Sequence, residues 1–434
     1  MKNSATIYEN TTECGENVNL MNILLQGRKL SFSERIHSFN DAVTKLNGKL
    51  RHTYFRVIES KAEREVTVKN DNGSVQKMLM FGSNNYLGLA NHPYVLKKVK
   101  SAIDEAGVGI GGPPILNGYT KGMQELEARL SALKGSEDTL IFSSGYNANT
   151  GLVSGLCKPS DIILADEYSH ASFFDGVKMA RCKCLTFRHN DTRELEQLLC
   201  KHSDSSENKF VAVEGVYSMD GDLCPLDKII PLCRKYNAVL LVDDAHATSV
   251  IGGNGGGIHD HFDLPVGEDI VLGTFSKAFA VNGGFISASR PVINYLRMMS
   301  RSYMFSAALP PVTIAAVLAG LDVLEREPYL RDKLHANVAY ATGKLRKYGL
   351  ISEPQAGIIC LKVPGDANIK ILARQFHEAG IFLNAVEFPA VPFHKQRFRI
   401  SVMSSHTKKD IDTLATVVEE IWSKIPVKSN FNIC

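Results

Sequence analysis

The sequence has little of what marks a secreted, fibrous or nucleic-acid-binding protein. Its nine cysteines are scattered over 434 residues without a CxxC pair, so they predict neither a disulfide framework nor a zinc site. The 49 basic and 46 acidic residues leave a formal net charge of +3 and form no basic block, which argues against a nucleic-acid or lipid-surface partner. We therefore expect a protein of the reducing cytoplasm that holds no metal.

Long apolar runs without charge are also missing. Residues 1–20 are polar and lack the apolar core of a secretory signal, so none is predicted. The most apolar stretch, residues 307–324, has Pro310 and Pro311 near its start and Asp322 near its end, which favours a buried helix over a membrane span. The composition, 44% hydrophobic and 22% charged, is that of a globular protein, and 434 residues predict a large domain with a smaller companion.

Short runs of β-branched residues alternate with helical patterns from about residue 92 to residue 290. This alternation predicts an α/β fold with a doubly wound, mostly parallel sheet in a large domain. Strands are expected at residues 139–142, 161–166, 209–215, 238–244, 269–275 and 284–289. Weaker signals such as IICLKV and RFRISVM predict a small C-terminal α+β domain. The predicted organisation is an N-terminal segment and arm at 1–80, a large domain at 81–310 and a small domain at 311–434.

A glycine-rich stretch separates two of the predicted helices. Apolar residues recur at helical spacing over 95–106 and again over 123–133. Gly107, Gly109 and Gly112 between them match the GxGxxG dinucleotide-binding motif, which requires a strand before it and a helix directly after it. Here a helix pattern precedes the glycines and two prolines follow, so the sequence predicts a loop and not an NAD site.

Polar residues follow several predicted strands at the carboxyl ends, where doubly wound folds bind their ligands. Ser144, Gly145 and Tyr146 stand where a strand gives way to a helix, whose free N–H groups could bind a phosphate. An ordinary strand-to-helix turn is the alternative. Asp243 and His246 end another strand; a buried carboxylate there suits a pyridinium nitrogen, and a helix cap or a metal ligand are the alternatives.

Two further strand ends carry a lysine and a histidine. Lys277 follows residues 269–275 between small hydroxylated side chains. A lysine in that position can form a Schiff base with a carbonyl cofactor, and Thr274 and Ser276 can donate hydrogen bonds to a phosphate. His170 follows residues 161–166 and could stack on a flat ring, with an ordinary buried histidine as the alternative.

Taken together, these motifs resemble the α-oxoamine synthase family of fold type I pyridoxal 5′-phosphate (PLP) enzymes. The resemblance runs in order from Phe81 to the segment RFRISVMSSHT through FGSNNYLGL, SSGYNAN, DEYSHASFFDG, EGVYSMDGD, LVDDAHATSVIG and GTFSKAFAVNGG. It implies that Lys277 carries PLP, that Asp243 binds the pyridine nitrogen and that His246 binds the phenolic oxygen. His170 is then expected to stack on the ring.

The same resemblance assigns the remaining candidate residues. It implies cofactor contacts for Ser144, Gly145, Tyr146, Glu214, Ser218, Thr274 and Ser276. Ser306 in MFSAALPP is similar to a phosphate contact that the partner subunit donates, so a homodimer is expected. Arg399 in RFRIS, helped by Asn84, is similar to the arginine that binds the substrate carboxylate, which suits the bidentate geometry of a guanidinium.

The activity that the resemblance implies is a decarboxylating condensation of an amino acid with an acyl-CoA or acyl-ACP thioester, giving an α-amino ketone. Two departures from the family pattern concern the acyl entrance: Met123 stands where relatives have a histidine, and Gly112, Pro113 and Pro114 replace Gly-Ser-Arg. The stretch YFRVIES before FGSNNYLGL, with FSK around Lys277, resembles bacterial serine palmitoyltransferase-like members. Together with the fewer polar groups at the acyl entrance, this resemblance predicts a long-chain donor with serine or a similar amino acid. A short-acyl synthase, an aminotransferase and a non-catalytic partner subunit remain alternatives.

Overall fold

The computed structural model describes residues 30–425 except 51–52, 71, 204–206, 366 and 389. Residues 1–20, for which no signal sequence is predicted, therefore lie outside the described residues. The helices are α1 (Phe32–Leu50), α2 (Pro93–Ala106), α3 (Lys121–Lys134), α4 (Gly145–Leu156), α5 (Ala171–Ala180), α6 (Thr192–Lys201), α7 (Leu226–Lys235), α8 (Ile258–His261), α9 (Arg290–Met299), α10 (Arg301–Met304), α11 (Pro311–Arg326), α12 (Tyr329–Leu345), α13 (Ile369–Glu378) and α14 (Lys408–Ser423). The strands are β1 (Val57–Ile58), β2 (Glu65–Lys69), β3 (Val75–Met80), β4 (Asp138–Phe142), β5 (Ile162–Asp166), β6 (Lys183–Phe187), β7 (Lys209–Glu214), β8 (Ala238–Asp243), β9 (Ile270–Thr274), β10 (Gly284–Ala288), β11 (Ile358–Lys362), β12 (Ile381–Phe382), β13 (Asn384–Val386) and β14 (Arg397–Ser401).

A seven-stranded sheet forms the centre of the protein, in the order β4-β10-β9-β8-β7-β5-β6. Strand β10 runs antiparallel to both of its neighbours, and the other pairs are parallel. Strands β5, β7 and β9 are buried along their whole length, which is why their sequences are apolar without alternation. The predicted α/β fold is confirmed, and all six predicted strands form with ends within one residue of the prediction.

Helices cover the faces of this sheet. Helix α4 packs on α5, and α11 packs on α2. The predicted buried helix at 307–324 is confirmed as α11, which begins at Pro311 and buries apolar residues such as Val317 and Leu321. Its one acidic residue in the apolar stretch, Asp322, accepts hydrogen bonds from Tyr94 and Arg129. Among the described residues, no helix has the length and apolarity that crossing a bilayer requires.

Two smaller sheets lie outside the central one. Strands β11-β14-β13 form an antiparallel sheet, and β1-β2-β3-β12 form another. The predicted strand signals IICLKV and RFRISVM are β11 and β14. Strand β3 pairs in parallel with β12, so residues just before position 81 share a sheet with residues 381–382. The division of the chain at residues 80 and 310 stays a prediction.

The glycine-rich segment between α2 and α3 is a loop, as predicted. Gly107 ends α2 with a φ of 72°, and Gly111 has a φ of 77°, a backbone region that other residues adopt only with strain. A single π-helical turn, Pro114–Gly118, follows the loop. The NAD motif is therefore not formed, because the glycines follow a helix rather than a strand.

Candidate functional site

The carboxyl ends of the central strands surround a cavity of about 270 Å³. Eleven of the residues predicted from the sequence line it, namely Ser144, Gly145, Tyr146, His170, Glu214, Ser218, Asp243, His246, Thr274, Ser276 and Lys277. They come from five separate chain segments, which the doubly wound topology brings to one edge of the sheet. Asn149 and Asn282 also line the cavity and were not predicted.

One end of the cavity is formed by the beginning of α4. Ser144 caps this helix, accepting a 3.0 Å hydrogen bond from the backbone N–H of Asn147. Gly145 lies so close to the end of β9 that a Cβ at this position would be 2.8 Å from Oγ1 of Thr274. The missing side chain leaves the first backbone N–H groups of α4 accessible, and the positive end of the helix dipole points the same way. This end of the cavity suits a phosphate.

Asp243 lies at the end of β8 with both carboxylate oxygens already bonded. Its Oδ2 accepts a hydrogen bond from Nδ2 of Asn149 at 2.8 Å, and its Oδ1 accepts one from the backbone N–H of Ala245 at 3.0 Å. These donors fix the orientation of the carboxylate toward the cavity. Asn149 belongs to SSGYNAN, four residues after Gly145 and therefore on the same side of the helix, a signal that could have identified it.

Lys277 follows β9 and shares the cavity with Asp243. Burial lowers the pKa of its amine to about 8, even though the carboxylates of Asp243 and Glu214 favour the charged form. An amine with this pKa is unprotonated far more often at neutral pH than an ordinary lysine. That makes it a nucleophile toward a carbonyl group and a base toward a nearby proton.

Glu214 is the most deeply buried acid of the cavity. Its Oε1 atom is buried and has no hydrogen-bond partner among the described residues, while Oε2 accepts a 3.4 Å bond from the backbone N–H of Ser218. Burial, followed by the neighbouring Asp243, raises the pKa of Glu214 well above its ordinary value. A buried polar atom without a partner is costly, so this oxygen is available to a ligand.

Two histidines face the cavity with different partners. His170 caps α5, and its Nδ1 accepts a hydrogen bond from the backbone N–H of Ser172. His246 is buried, and its Nδ1 lies 2.8 Å from the hydroxyl of Tyr86. Burial is the first cause that lowers the pKa of each imidazole. Both rings are therefore neutral near pH 7, which suits contact with an uncharged aromatic face or a phenolic oxygen.

Arg399 lies next to the cavity rather than in its lining. It belongs to β14, is 5% exposed, and donates from Nη1 to Oδ1 of Asn84 at 3.0 Å and from Nε to the carbonyl of Ser218 at 2.6 Å. The predicted pair Arg399 and Asn84 is thus in direct contact. Tyr86, two residues after Asn84, was not predicted, although it belongs to the motif FGSNNYLGL.

Ser306 is not among the residues that line the cavity of the described chain. It is half-buried between α10 and α11. Two residues later, the N–H of Ala308 donates a 2.9 Å hydrogen bond to the carbonyl of Gly112, so this segment lies beside the glycine-rich loop. The structure therefore does not bring Ser306 together with the other predicted residues of its own chain.

The residues that depart from the family pattern fall into two environments. Met123 is fully buried in the main hydrophobic core and does not belong to the lining of the cavity. Pro114 begins the π-helical turn, whose Leu116 is 80% exposed, and Phe305 is 72% exposed. The turn and the segment around Phe305 therefore present apolar side chains at the surface beside the glycine-rich loop.

Known proteins share this architecture and sequence. A family model for aminotransferase class I and II matches residues 76–418. Serine palmitoyltransferase of Sphingobacterium spiritivorum is 35% identical over 402 residues, which cover 92% of this chain and 99% of that protein. 8-Amino-7-oxononanoate synthase of Lysinibacillus sphaericus is 36% identical over 353 residues, covering 81% and 90%. A solved serine palmitoyltransferase variant of S. paucimobilis with a bound PLP–myriocin aldimine has a TM-score of 0.84 at 27% identity, covering 91% and 99%.

Proposed function

The chain belongs to the aminotransferase class I and II family, and on that premise we propose that it is a PLP-dependent acyltransferase that condenses an amino acid with an acyl thioester. The observation that carries the proposal is the cavity in which Lys277, with a pKa of about 8, faces a carboxylate fixed by two donors. A solved relative holds PLP. A non-catalytic subunit would need neither the lysine nor the fixed carboxylate.

The cavity fits PLP group by group. The start of α4, with Gly145 and the hydroxyls of Ser144, Thr274 and Ser276, would bind the phosphate. Asp243 would pair with the pyridinium nitrogen, which removes the cost of leaving a buried carboxylate without a cation.

The remaining cavity residues suit the ring itself. His170 would stack on one face, and His246 would donate to the phenolic oxygen. Glu214 and Ser218 complete the wall, and Tyr146 closes the phosphate end. When bound, PLP supplies an electron sink for negative charge on the substrate Cα.

The protein's own contribution is to hold the amino acid and to move its proton. Arg399, whose Nη2 has a second N–H beyond the one that it donates to the Tyr86 hydroxyl, would bind the substrate carboxylate, and Asn84 would fix the plane of that arginine. Lys277 would take the Cα proton, because its amine is partly unprotonated at neutral pH. Burial of the site excludes water, which strengthens each of these charge interactions.

For the acyl donor we propose a long-chain thioester, with serine or a similar amino acid as the second substrate. The similarity to serine palmitoyltransferase and the apolar surface at Leu116 and Phe305 support this donor. The equal similarity to 8-amino-7-oxononanoate synthase makes a short-chain donor the second candidate. CoA and acyl carrier protein are both possible carriers.

The proposed assembly is a cytoplasmic homodimer. Ser306 lies outside the cavity of its own chain, which supports the idea that it serves the phosphate site of a second copy. Light scattering at micromolar concentration tests the assembly, and a fully active monomer would contradict it.

The central experiment identifies the lysine that holds PLP. The purified protein, loaded with PLP, is reduced with borohydride, digested and mapped. We expect the pyridoxyl group on Lys277 and its loss in Lys277→Ala, while Lys235→Ala, which removes an exposed lysine, keeps it. A pyridoxyl group on a different lysine would overturn the assignment.

A further inference from the structure

Tyr86 lies between the cavity and the arginine of β14. Its hydroxyl is 2.8 Å from Nδ1 of His246 and 3.3 Å from Nη2 of Arg399. The side chain is fully buried, and its ring lies so close to Gly357 that a Cβ at that glycine would be 2.5 Å from Cδ1 of the tyrosine. The ring has no room to turn away, so the hydroxyl is held between the two groups.

The direction of these hydrogen bonds follows from what each group can donate. A guanidinium has donors only, so the Tyr86 oxygen accepts from Arg399. The single hydroxyl proton has two acceptors within reach, Nδ1 of His246 at 2.8 Å and Oδ1 of Asn84 at 3.2 Å. The Asn84 oxygen already accepts from Arg399 and Ser401. The shorter bond, to His246, therefore takes the proton.

This bond fixes the tautomer of His246. Burial, with the positive charges of Lys277 and Arg399, lowers the pKa of His246 well below its ordinary value, so the ring is neutral at pH 7. When Nδ1 of a neutral imidazole accepts, the proton is on Nε2. His246 lines the cavity, and this N–H is the donor that it can offer to a ligand there.

We propose that Tyr86 is a positioning residue that couples a carboxylate bound at Arg399 to the hydrogen bond that His246 donates into the cavity. The inference rests on the proposed function, in which Arg399 binds the amino-acid carboxylate and His246 contacts PLP. While Arg399 has no carboxylate, its charge polarises the Tyr86 hydroxyl and strengthens the bond to Nδ1. A bound carboxylate neutralises that charge and draws the guanidinium away, so the bond to His246 weakens.

Such a coupling has to be reciprocal. A bound anion stabilises the protonated form of the bound cofactor. The cofactor absorbance therefore changes at a higher midpoint pH when a carboxylate is bound. By the same factor, the carboxylate binds more tightly below that midpoint than above it. Propionate is the probe, because it has a carboxylate for Arg399 and no amine to react at the cofactor.

The first test uses the PLP-loaded enzyme. The absorbance midpoint is measured with and without saturating propionate for the wild type, for Tyr86→Phe and for Tyr340→Phe, whose hydroxyl contacts Asp412 away from the site. We expect propionate to change the proton affinity about 5-fold, roughly 0.7 pH unit, in the wild type and in Tyr340→Phe. In Tyr86→Phe the shift should fall below half of that. An unchanged shift in Tyr86→Phe that still binds propionate would overturn the coupling.

The second test needs neither PLP nor a variant of Tyr86. Nitrogen-15 NMR of the histidine-labelled apoprotein, with the signals of His246 assigned from the variant His246→Gln, reports which ring nitrogen carries the proton. We expect Nε2–H, and an Nδ1–H tautomer would overturn the inference even if Tyr86→Phe failed to fold. A protein that binds no PLP would overturn the proposed function and leave this result standing, so the two failures are distinguishable.

Discussion

Nδ2 of Asn149 donates a 2.8 Å hydrogen bond to Oδ2 of Asp243. Asn149 belongs to α4, the helix whose first turn forms the phosphate end of the cavity, while Asp243 ends β8. One helix therefore orients the groups for both ends of the proposed cofactor. Because the helix is rigid, the distance between the phosphate end and the carboxylate is set by the fold and not by a loop.

Replacement of Asn149 by alanine is expected to weaken PLP binding. The carboxylate of Asp243 would lose a donor, and a hydrogen bond to a charged group contributes about 1.5–3 kcal/mol, which corresponds to about 10-fold to 100-fold in affinity. Titration of the apoprotein with PLP measures the change. Asn91→Ala, which removes a surface amide that donates to the carbonyl of Ala62, is the control. Equal affinities for Asn149→Ala and the wild type would contradict the role of Asn149.

Arg399 and Arg397 provide a matched pair on one strand. Both are buried, but Arg397 donates to Asp220 and to the carbonyl of Met219, whereas Arg399 donates to uncharged groups such as Asn84 and Tyr86 and has no carboxylate partner among the described residues. Arg399→Ala is expected to weaken amino-acid binding by about 2–5 kcal/mol and to leave PLP affinity nearly unchanged.

The measurement for this pair is an equilibrium titration with serine, followed by cofactor absorbance. Arg397→Ala should lower stability, because it leaves Asp220 without its cation, and should retain amino-acid binding. If Arg397→Ala lost serine binding and Arg399→Ala kept it, the substrate carboxylate would be bound by Arg397, and the assignment to Arg399 would be wrong.

A buried ion pair supports the strand that ends in Asp243. Nζ of Lys134 lies 2.5 Å from Oδ2 of Asp244, and both side chains are 1% exposed. Lys134→Met is expected to lower the free energy of unfolding by about 3–5 kcal/mol, since it leaves a buried carboxylate without its cation. Denaturant unfolding measures it. Adding Asp244→Asn should recover part of the loss, and failure of the double variant to do so would mean that the pair does not act as a unit.

His189 gives the stability a pH dependence. Burial lowers the pKa of His189, but the hydrogen bonds that its ring donates to the carboxylates of Asp166 and Asp222 outweigh burial and raise the pKa to about 10. An unfolded histidine titrates near pH 6.5, so the folded state binds the extra proton between these values. This contribution to stability is complete below pH 6.5 and is lost as the pH rises toward 10.

The comparison that tests this is denaturant unfolding at pH 6.5 and pH 9.5. The wild type should lose more stability between the two values than His189→Gln, in which the titrating group is absent. His37→Gln, which changes an exposed histidine of α1, should behave as the wild type does. Parallel pH profiles for His189→Gln and the wild type would rule out His189 as the source.

The acyl preference follows from burial of methylene groups. Each buried methylene contributes about 0.8 kcal/mol, so an apolar site discriminates strongly by chain length. We expect thiol release with palmitoyl thioester and serine to exceed release with acetyl or pimeloyl thioesters. A preference for acetyl or pimeloyl donors, or for glycine with either, would contradict the long-chain proposal and indicate a short-acyl synthase.

Local apolar patterns were sufficient to predict six of the seven strands of the central sheet, and strand-end residues together with the family resemblance gave eleven residues of the cavity lining. The buried strands are continuous apolar runs, and their polar ends lie at the cavity because parallel strands end at one edge. Strand β6 was missed because it is the edge strand, partly exposed, and its sequence KCLTF is short and mixed. The direction of β10 was not predicted either, since an antiparallel strand can have the same apolar pattern.

The contacts that sequence analysis missed join distant segments. Asn149 reaches Asp243 across 94 positions, and Tyr86 reaches His246 across 160. No local pattern reports such a pairing, because it depends on how helices and strands are arranged in space. Local patterns do not report the pairing of β3 with β12 either. The predicted boundary at residue 80 placed these two strands in different parts of the protein.

Asn84 and Arg399, whose side chains are 3.0 Å apart, are separated by 315 positions. On a ribosome that adds 5–20 residues per second, the second residue follows the first by on the order of 15–60 s. Throughout that time β3 and the residues after it lack β12 and β14 as partners. Contacts so distant in sequence also form slowly once both segments exist. The proposed substrate site is therefore among the last parts of the protein to be completed during synthesis, and a chain released before β14 would lack it.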